Sequence, residues 1–104
     1  MNKKLFNIKN FVTIVTGSGR SIGLKIAAGF YEYGAKVIRI DLNFKKHKLY
    51  KFDDYKIDLR KQKLVDQCLH AIKRRYGRID VLINNAGVTT NNLNNKGCFL
   101  KFIY

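Results

Sequence analysis

A chain of 104 residues has room for one small domain, and a hydrophobic share of 46% excludes a disordered tail. Its formal net charge of +14 raises the question of nucleic acid or an acidic membrane, but the basic residues fall in small groups. Lys3-Lys4, Lys45-Lys46-Lys48 and Lys73-Arg74-Arg75 never make a run of five, so the charge reads as solvated surface lysine and a nucleic-acid role is not expected.

In chain order, Phe11–Thr16 is a short β-branched run that stops at glycine, the pattern of a buried strand. A glycine-serine segment from Gly17 to Gly23 follows. Ile22, Ile26 and Phe30 then recur every fourth residue beside a small-residue strip of Gly23 and Ala27, which predicts a helix ending at Gly34. Lys36–Asp41 is a second strand finishing on a carboxylate. Leu42–Asp54 is basic and aromatic without a clear period, and Tyr55–Asp58 reads as a short third strand. Val65, Cys68, Leu69, Ile72 and Tyr76 trace an amphipathic helix capped by Gly77, and Val81–Ile83 is a fourth strand. Strands alternating with helices predict an α/β fold, a partial three-layer Rossmann arrangement whose parallel sheet runs in the order 3-2-1-4.

Cys68 lies on the apolar face of its helix and Cys98 lies far from it, with no metal-ligand spacing around either, so a buried free thiol is expected at Cys68 and no metal site. Met1–Asn10 is polar and no apolar stretch approaches the ~20 residues of a membrane span. A reducing cytoplasm is the expected compartment.

The segment Gly17–Gly23 stands between a strand and a helix, where glycines serve a phosphate. One turns the chain sharply, a small residue admits a pyrophosphate to the backbone, and another lets helix and strand pack closely. Unpaired first-turn amides carry partial positive charge, so those near Ser21 and Ile22 suit an anion, and the Ser21 hydroxyl can add a bond. A plain strand-to-helix turn is the competing reading. Asp41, about 20 residues downstream at the end of the next strand, favours the first, because a carboxylate there accepts bonds from both ribose hydroxyls. Capping of a local turn is its alternative role.

Thr16-Gly17-x-x-x-Ser21-Ile22-Gly23 resembles the T-G-x-x-x-G-x-G motif of short-chain dehydrogenases/reductases, and Asn84-Asn85-Ala86-Gly87 matches their N-N-A-G motif. Asp58-Leu59 matches the Asp-plus-apolar pair that the family places beside the adenine. The resemblance runs from about Asn7 to Val88, or at the outside to Leu93, and implies residue roles. Gly17, Ser21, Ile22 and Gly23, with Ser18 and Arg20 alongside, would form the phosphate turn. Asp41 would bind the adenosine ribose, Asp58 and Leu59 would flank the adenine, and Asn85, Ala86 and Gly87 would line the second ribose. For Asn84 a structural tie between strands is an equal alternative. The family's middle glycine is Ser21 here, which puts a Cβ close to the pyrophosphate. On the cofactor the residues disagree. Asp41 sets a negative charge where a 2′-phosphate would lie, whereas Arg20 occupies a position that is often basic in NADP-using members. Asp41 opposes the phosphate directly, so NAD is expected over NADP.

The family's chemistry uses a serine, and a tyrosine with a lysine four residues later that lowers the tyrosine pKa. No Tyr-x-x-x-Lys occurs: Tyr31, Tyr33, Tyr50, Tyr55 and Tyr76 are followed four on by Ala35, Val37, Asp54, Leu59 and Asp80, and Tyr104 is the last residue. His47, in a basic loop, and His70, in mid-helix, are poor substitutes. Two segments are expected: 1–93, a partial dinucleotide-binding domain, and 94–104, a divergent tail unlike the helix the family places next. The expectation is therefore an oxidoreductase-family fragment, inactive alone, with an open Val81–Ile83 edge that favours aggregation. It would bind a dinucleotide and no membrane, and it lacks the helices through which full-length relatives oligomerise. A non-catalytic dinucleotide-binding module or subunit is the alternative, and a basic nucleic-acid-binding protein ranks below both.

Overall fold

Alternation along the strands decides which side chains meet which helix. In the computed structural model, which describes residues 7–19, 21–44 and 49–85 without the Ser21 side chain, four strands and two helices follow one another. They are β1 (Val12–Thr16), α1 (Ser21–Glu32), β2 (Lys36–Asp41), β3 (Asp53–Lys56), α2 (Gln62–Tyr76) and β4 (Val81–Asn84). All strand pairs are parallel and the order is β3-β2-β1-β4, as the sequence predicts.

Val12 and Ile14 of β1 and Ile38 and Ile40 of β2 point to one face, where they pack with Val65, Cys68, Leu69 and Ile72 of α2. Val15 and Val37 point to the other, against Ala27 and the half-buried Ile26 and Phe30 of α1. The result is the three-layer α/β arrangement, with β1 buried along its whole length.

The helix α2 forms because its four buried residues fall on one stripe. It stops at Gly77, whose φ of 78° suits glycine and whose N–H donates to the Lys73 carbonyl at 2.8 Å. Lys73, Arg74 and Arg75 place positive charge at the negative end of the helix.

The third strand differs from expectation. It spans Asp53–Lys56, two residues earlier than the segment Tyr55–Asp58. Two aspartates are poor strand formers in isolation, but β3 is the edge of the sheet and Asp54 lies in register with Arg39 of β2. That pairing draws Asp53 and Asp54 into the ladder, and the chain has left it by Asp58.

At the other edge among the described strands, β4 is clasped to β1. The Val12 N–H donates to Asp80 Oδ2 at 2.8 Å and the Asp80 N–H donates to the Val12 carbonyl at 2.9 Å. Val81, Leu82 and Ile83 are half-buried. Among the described residues no helix is long and apolar enough to cross a membrane.

Candidate functional site at the carboxyl ends of the strands

Because the strands are parallel, β1, β2 and β4 deliver their carboxyl ends to one edge, where crevices of such sheets take ligands. The chain leaves β1 at Thr16 and turns at Gly17, whose φ of 63° a side chain would strain. Ser18 is fully buried, and its hydroxyl donates inward to the Val15 carbonyl at 2.7 Å. The Gly19 N–H donates to Asp41 Oδ2 at 3.0 Å. A Cβ on Gly19 would stand 1.8 Å from the Asn43 carbonyl oxygen, and one on Gly23 would stand 2.2 Å from the Gly17 carbonyl oxygen. Both approaches require glycine.

The helix α1 starts at Ser21 with no acidic residue in its first turn, so the positive end of its dipole is not offset from within. Ile22 in that turn is 68% exposed, an apolar side chain left outside the core. Beside it, Asp41 caps the turn that follows β2: its Oδ1 accepts the Leu42 N–H at 2.6 Å while its Oδ2 holds Gly19. Each carboxylate oxygen has a second acceptor direction, so the group can still take two hydroxyls.

The end of β4 closes the site from the other side. The Thr16 hydroxyl donates to Asn84 Oδ1 at 3.1 Å, and the Asn85 amide donates to the Gly17 carbonyl at 3.2 Å. Asn85 thus sits against the glycine turn, and Asn84 ties β4 to β1. Asp58 lies just beyond Ile57, whose N–H bonds the Asp41 carbonyl. Its carboxylate is gripped by Arg60 through the side chain at 2.9 and 3.0 Å and through the backbone N–H at 3.0 Å. These bonds push the Asp58 carboxyl down to about 2. Leu59 packs against the α2-side core. Arg20, Ala86, Gly87, the side chain of Ser21, His47 and the tail 94–104 lie outside the described residues.

Two residues of the site were not singled out from sequence. Gly19 was passed over between Gly17 and Ser21, although a Gly-Ser-Gly run was the available signal. Arg39 lies inside the second strand, Lys36–Asp41, and a charge between two isoleucines is the signal there. The structure buries it to 2% exposure. Its Nε and Nη2 meet both Asp54 oxygens at 2.7 and 2.5 Å, and its Nη1 donates to the Ser18 carbonyl at 3.1 Å. Its guanidinium carbon lies 4.6 Å from the Phe44 ring centre and 4.4 Å from that of Phe52.

General acid-base work near neutrality needs a group whose pKa is drawn toward it. The tyrosines shifted by their surroundings move the other way. A bond to Glu32 raises Tyr50, burial and Asp53 raise Tyr55, and burial with a bond to Asp53 pushes Tyr76 up to about 12. Burial, helped by the charge of Asp53, pushes the Cys68 thiol up to about 11, where it is unreactive. No group of three or more metal-ligating side chains occurs among the described residues.

Known proteins resemble this arrangement. The family described as short chain dehydrogenase matches residues 11–100. Sorbitol-6-phosphate 2-dehydrogenase of Klebsiella pneumoniae is 38% identical over 84 residues, covering 79% of this chain and 32% of that protein. Ligand-free aldohexose dehydrogenase of Thermoplasma acidophilum superposes with a TM-score of 0.71 at 34% identity, over 80% of this chain and 32% of its own. A short chain dehydrogenase of Leptospira borgpetersenii with bound NAD+ shares the fold, with a TM-score of 0.80 at 17% identity over 98% of this chain and 48% of its own. The chain spans about a third of the length of the curated relatives it matches.

Proposed function

This chain belongs to the short-chain dehydrogenase family, and we propose that residues 1–93 form a nicotinamide-dinucleotide-binding unit that takes NAD in preference to NADP. The observation that carries the reading is the bond from the Gly19 N–H to Asp41 Oδ2, which sets the carboxylate at the end of β2 directly against the turn that leads into α1. The residues present fit such a ligand. Glycine at 19 and 23 lets Asn43 and Gly17 close tightly on the turn, which draws Asp41 and Asn85 up to it, and the first turn of α1 carries no acidic residue of its own beside its amides.

Gly17, Ser18, Arg20, Ser21, Ile22 and Gly23 would hold the pyrophosphate, Ser18 through its backbone. Asp41 would accept the adenosine ribose hydroxyls, and its charge would repel a 2′-phosphate. Asp58 and Leu59 would flank the adenine, while Asn85, Ala86 and Gly87 would line the second ribose. When bound, the nicotinamide ring supplies a place to accept or donate hydride. This chain's residues bind and orient it, and the sequence contains no Tyr-x-x-x-Lys to move the accompanying proton. The 104 residues alone are therefore proposed to be inactive. In the whole-length relatives the reaction class would be alcohol–carbonyl interconversion. The free, buried Cys68 thiol is consistent with a reducing cytoplasm.

Calorimetric titration with NAD and NADP at equal ionic strength tests the reading. Binding of NAD, with NADP weaker, is the expected result. At a hundred times its Kd, NAD should raise stability by about 2.7 kcal/mol. No heat and no thermal protection from either dinucleotide would end it, and tighter NADP binding would reverse the preference.

A further inference from the structure

We propose that Arg39 is a positioning residue for the phosphate turn, acting with Asp41 to fix the Ser18–Gly19 peptide in one orientation. The inference rests on the dinucleotide reading above for its purpose, but its geometry stands without a ligand.

Arg39 and Asp41 are two residues apart on β2, so their side chains leave the same face of the strand. Both reach the same peptide unit. Arg39 Nη1 donates to the Ser18 carbonyl at 3.1 Å, and Asp41 Oδ2 accepts the Gly19 N–H at 3.0 Å. A trans peptide is planar, with its C=O and N–H pointing in opposite directions. A cation on one side and an anion on the other therefore hold the plane against rotation. Such a hold matters here, because the plane turns about ψ of Ser18 and φ of Gly19, and a glycine leaves that second rotation open, one residue beyond Gly17 at positive φ.

The strand itself does not need an arginine. Val37, on the same face, packs against α1 as an ordinary apolar residue, whereas a buried guanidinium demands partners. Among the described residues its partners are Asp54 on β3, Ser18 in the turn, and Phe44 and Phe52 on the chain between β2 and β3. The bidentate pair with Asp54 fixes the guanidinium plane, and that plane aims Nη1 at the turn. Lysine, a point charge without the fork, can serve Ser18 or Asp54 but not both in this geometry.

The test is amide hydrogen exchange on the ligand-free 104-residue chain, with NAD titration alongside, for the unsubstituted protein, Arg39→Met and Arg39→Lys. Arg39→Met should weaken protection of the Gly19 amide by about tenfold while Ile14 and Ile38 in the core keep theirs. NAD affinity should fall by about tenfold as well, with Arg39→Lys between the two. A general loss of stability would lower core and turn protection together. A folded Arg39→Met protein with unsubstituted Gly19 protection overturns the proposal. If Arg39→Met does not fold, Arg39→Lys decides alone: a weakened Gly19 amide supports the proposal and an unchanged one overturns it. Failure of the unsubstituted chain to bind NAD would sink the functional reading only, since the Gly19 amide is read without ligand.

Discussion

One face of this sheet and the carboxyl ends of its strands are held together by different physics. Between the sheet and α2, Val12, Ile14, Ile38 and Ile40 meet Val65, Cys68, Leu69 and Ile72 in an almost wholly apolar contact. At the carboxyl ends of the strands, Ser18, Gly19, Arg39, Asp41, Asn84 and Asn85 are joined by individual hydrogen bonds and by backbone contacts with no space for a methyl group. Apolar packing tolerates swaps of similar volume and yields energy in proportion to area. A polar junction yields geometry. The first should govern whether the chain folds, and the second whether the folded chain binds.

Substitutions can break that division, and the largest effect is expected in the core. Ile72 is fully buried, so Ile72→Ala should lower unfolding free energy by about 2–5 kcal/mol in denaturant titration. A domain of this size has little more than that to lose. Where the protein stays folded, its NAD affinity should be unchanged. Gly23→Ala should show the reverse emphasis. Its Cβ would press on the Gly17 backbone and the Asn85 amide, at a stability cost of about 1–3 kcal/mol, and calorimetry should find NAD binding weakened by well over about tenfold. Equal binding by Gly23→Ala and the unsubstituted chain would erase the distinction between the two regions.

Asp41→Asn sharpens it further. Removing the charge should weaken NAD and strengthen NADP, moving their affinity ratio by about tenfold with a small change in melting temperature. The smallest effect is expected from acid. Arg60 holds the folded-state carboxyl of Asp58 at about 2, below the ordinary 3.8. The stability this contributes is full above the ordinary value and is lost as pH falls through about 2. Solvent screens the pair, since Arg60 is mostly exposed, so the loss should be slight. Comparing the acid limbs of the unsubstituted chain and Asp58→Asn would reveal it.

Most of the architecture was legible because burial writes a period into the chain. The stripe in α2, the apolar run of β1 and the terminal Asp41 of β2 each carried enough signal to place their elements and the order of the sheet. β3 was misplaced by two residues because its reason for existing lies elsewhere in the chain: Asp53 and Asp54 become a strand only beside Ile38 and Arg39. The glycine turn and Asp41 were legible as a spacing. That Asp41 reaches Gly19, that Asn43 leaves no space beside it, and that Arg39 grips Ser18 were not, since these are contacts between segments about 20 residues apart.

The bond from Asn85 to Gly17 spans 68 positions of sequence, and so does that from Val12 to Asp80. Closing so long a loop is entropically slow, whereas β1 can find β2 much sooner. Assembly of this chain should therefore end with β4, and the turn should acquire its final shape only in that last step. Ligand capture followed in time after dilution from denaturant would then lag behind the appearance of helix. During synthesis the nascent chain would lack the finished turn until Asn85 had cleared the ribosome.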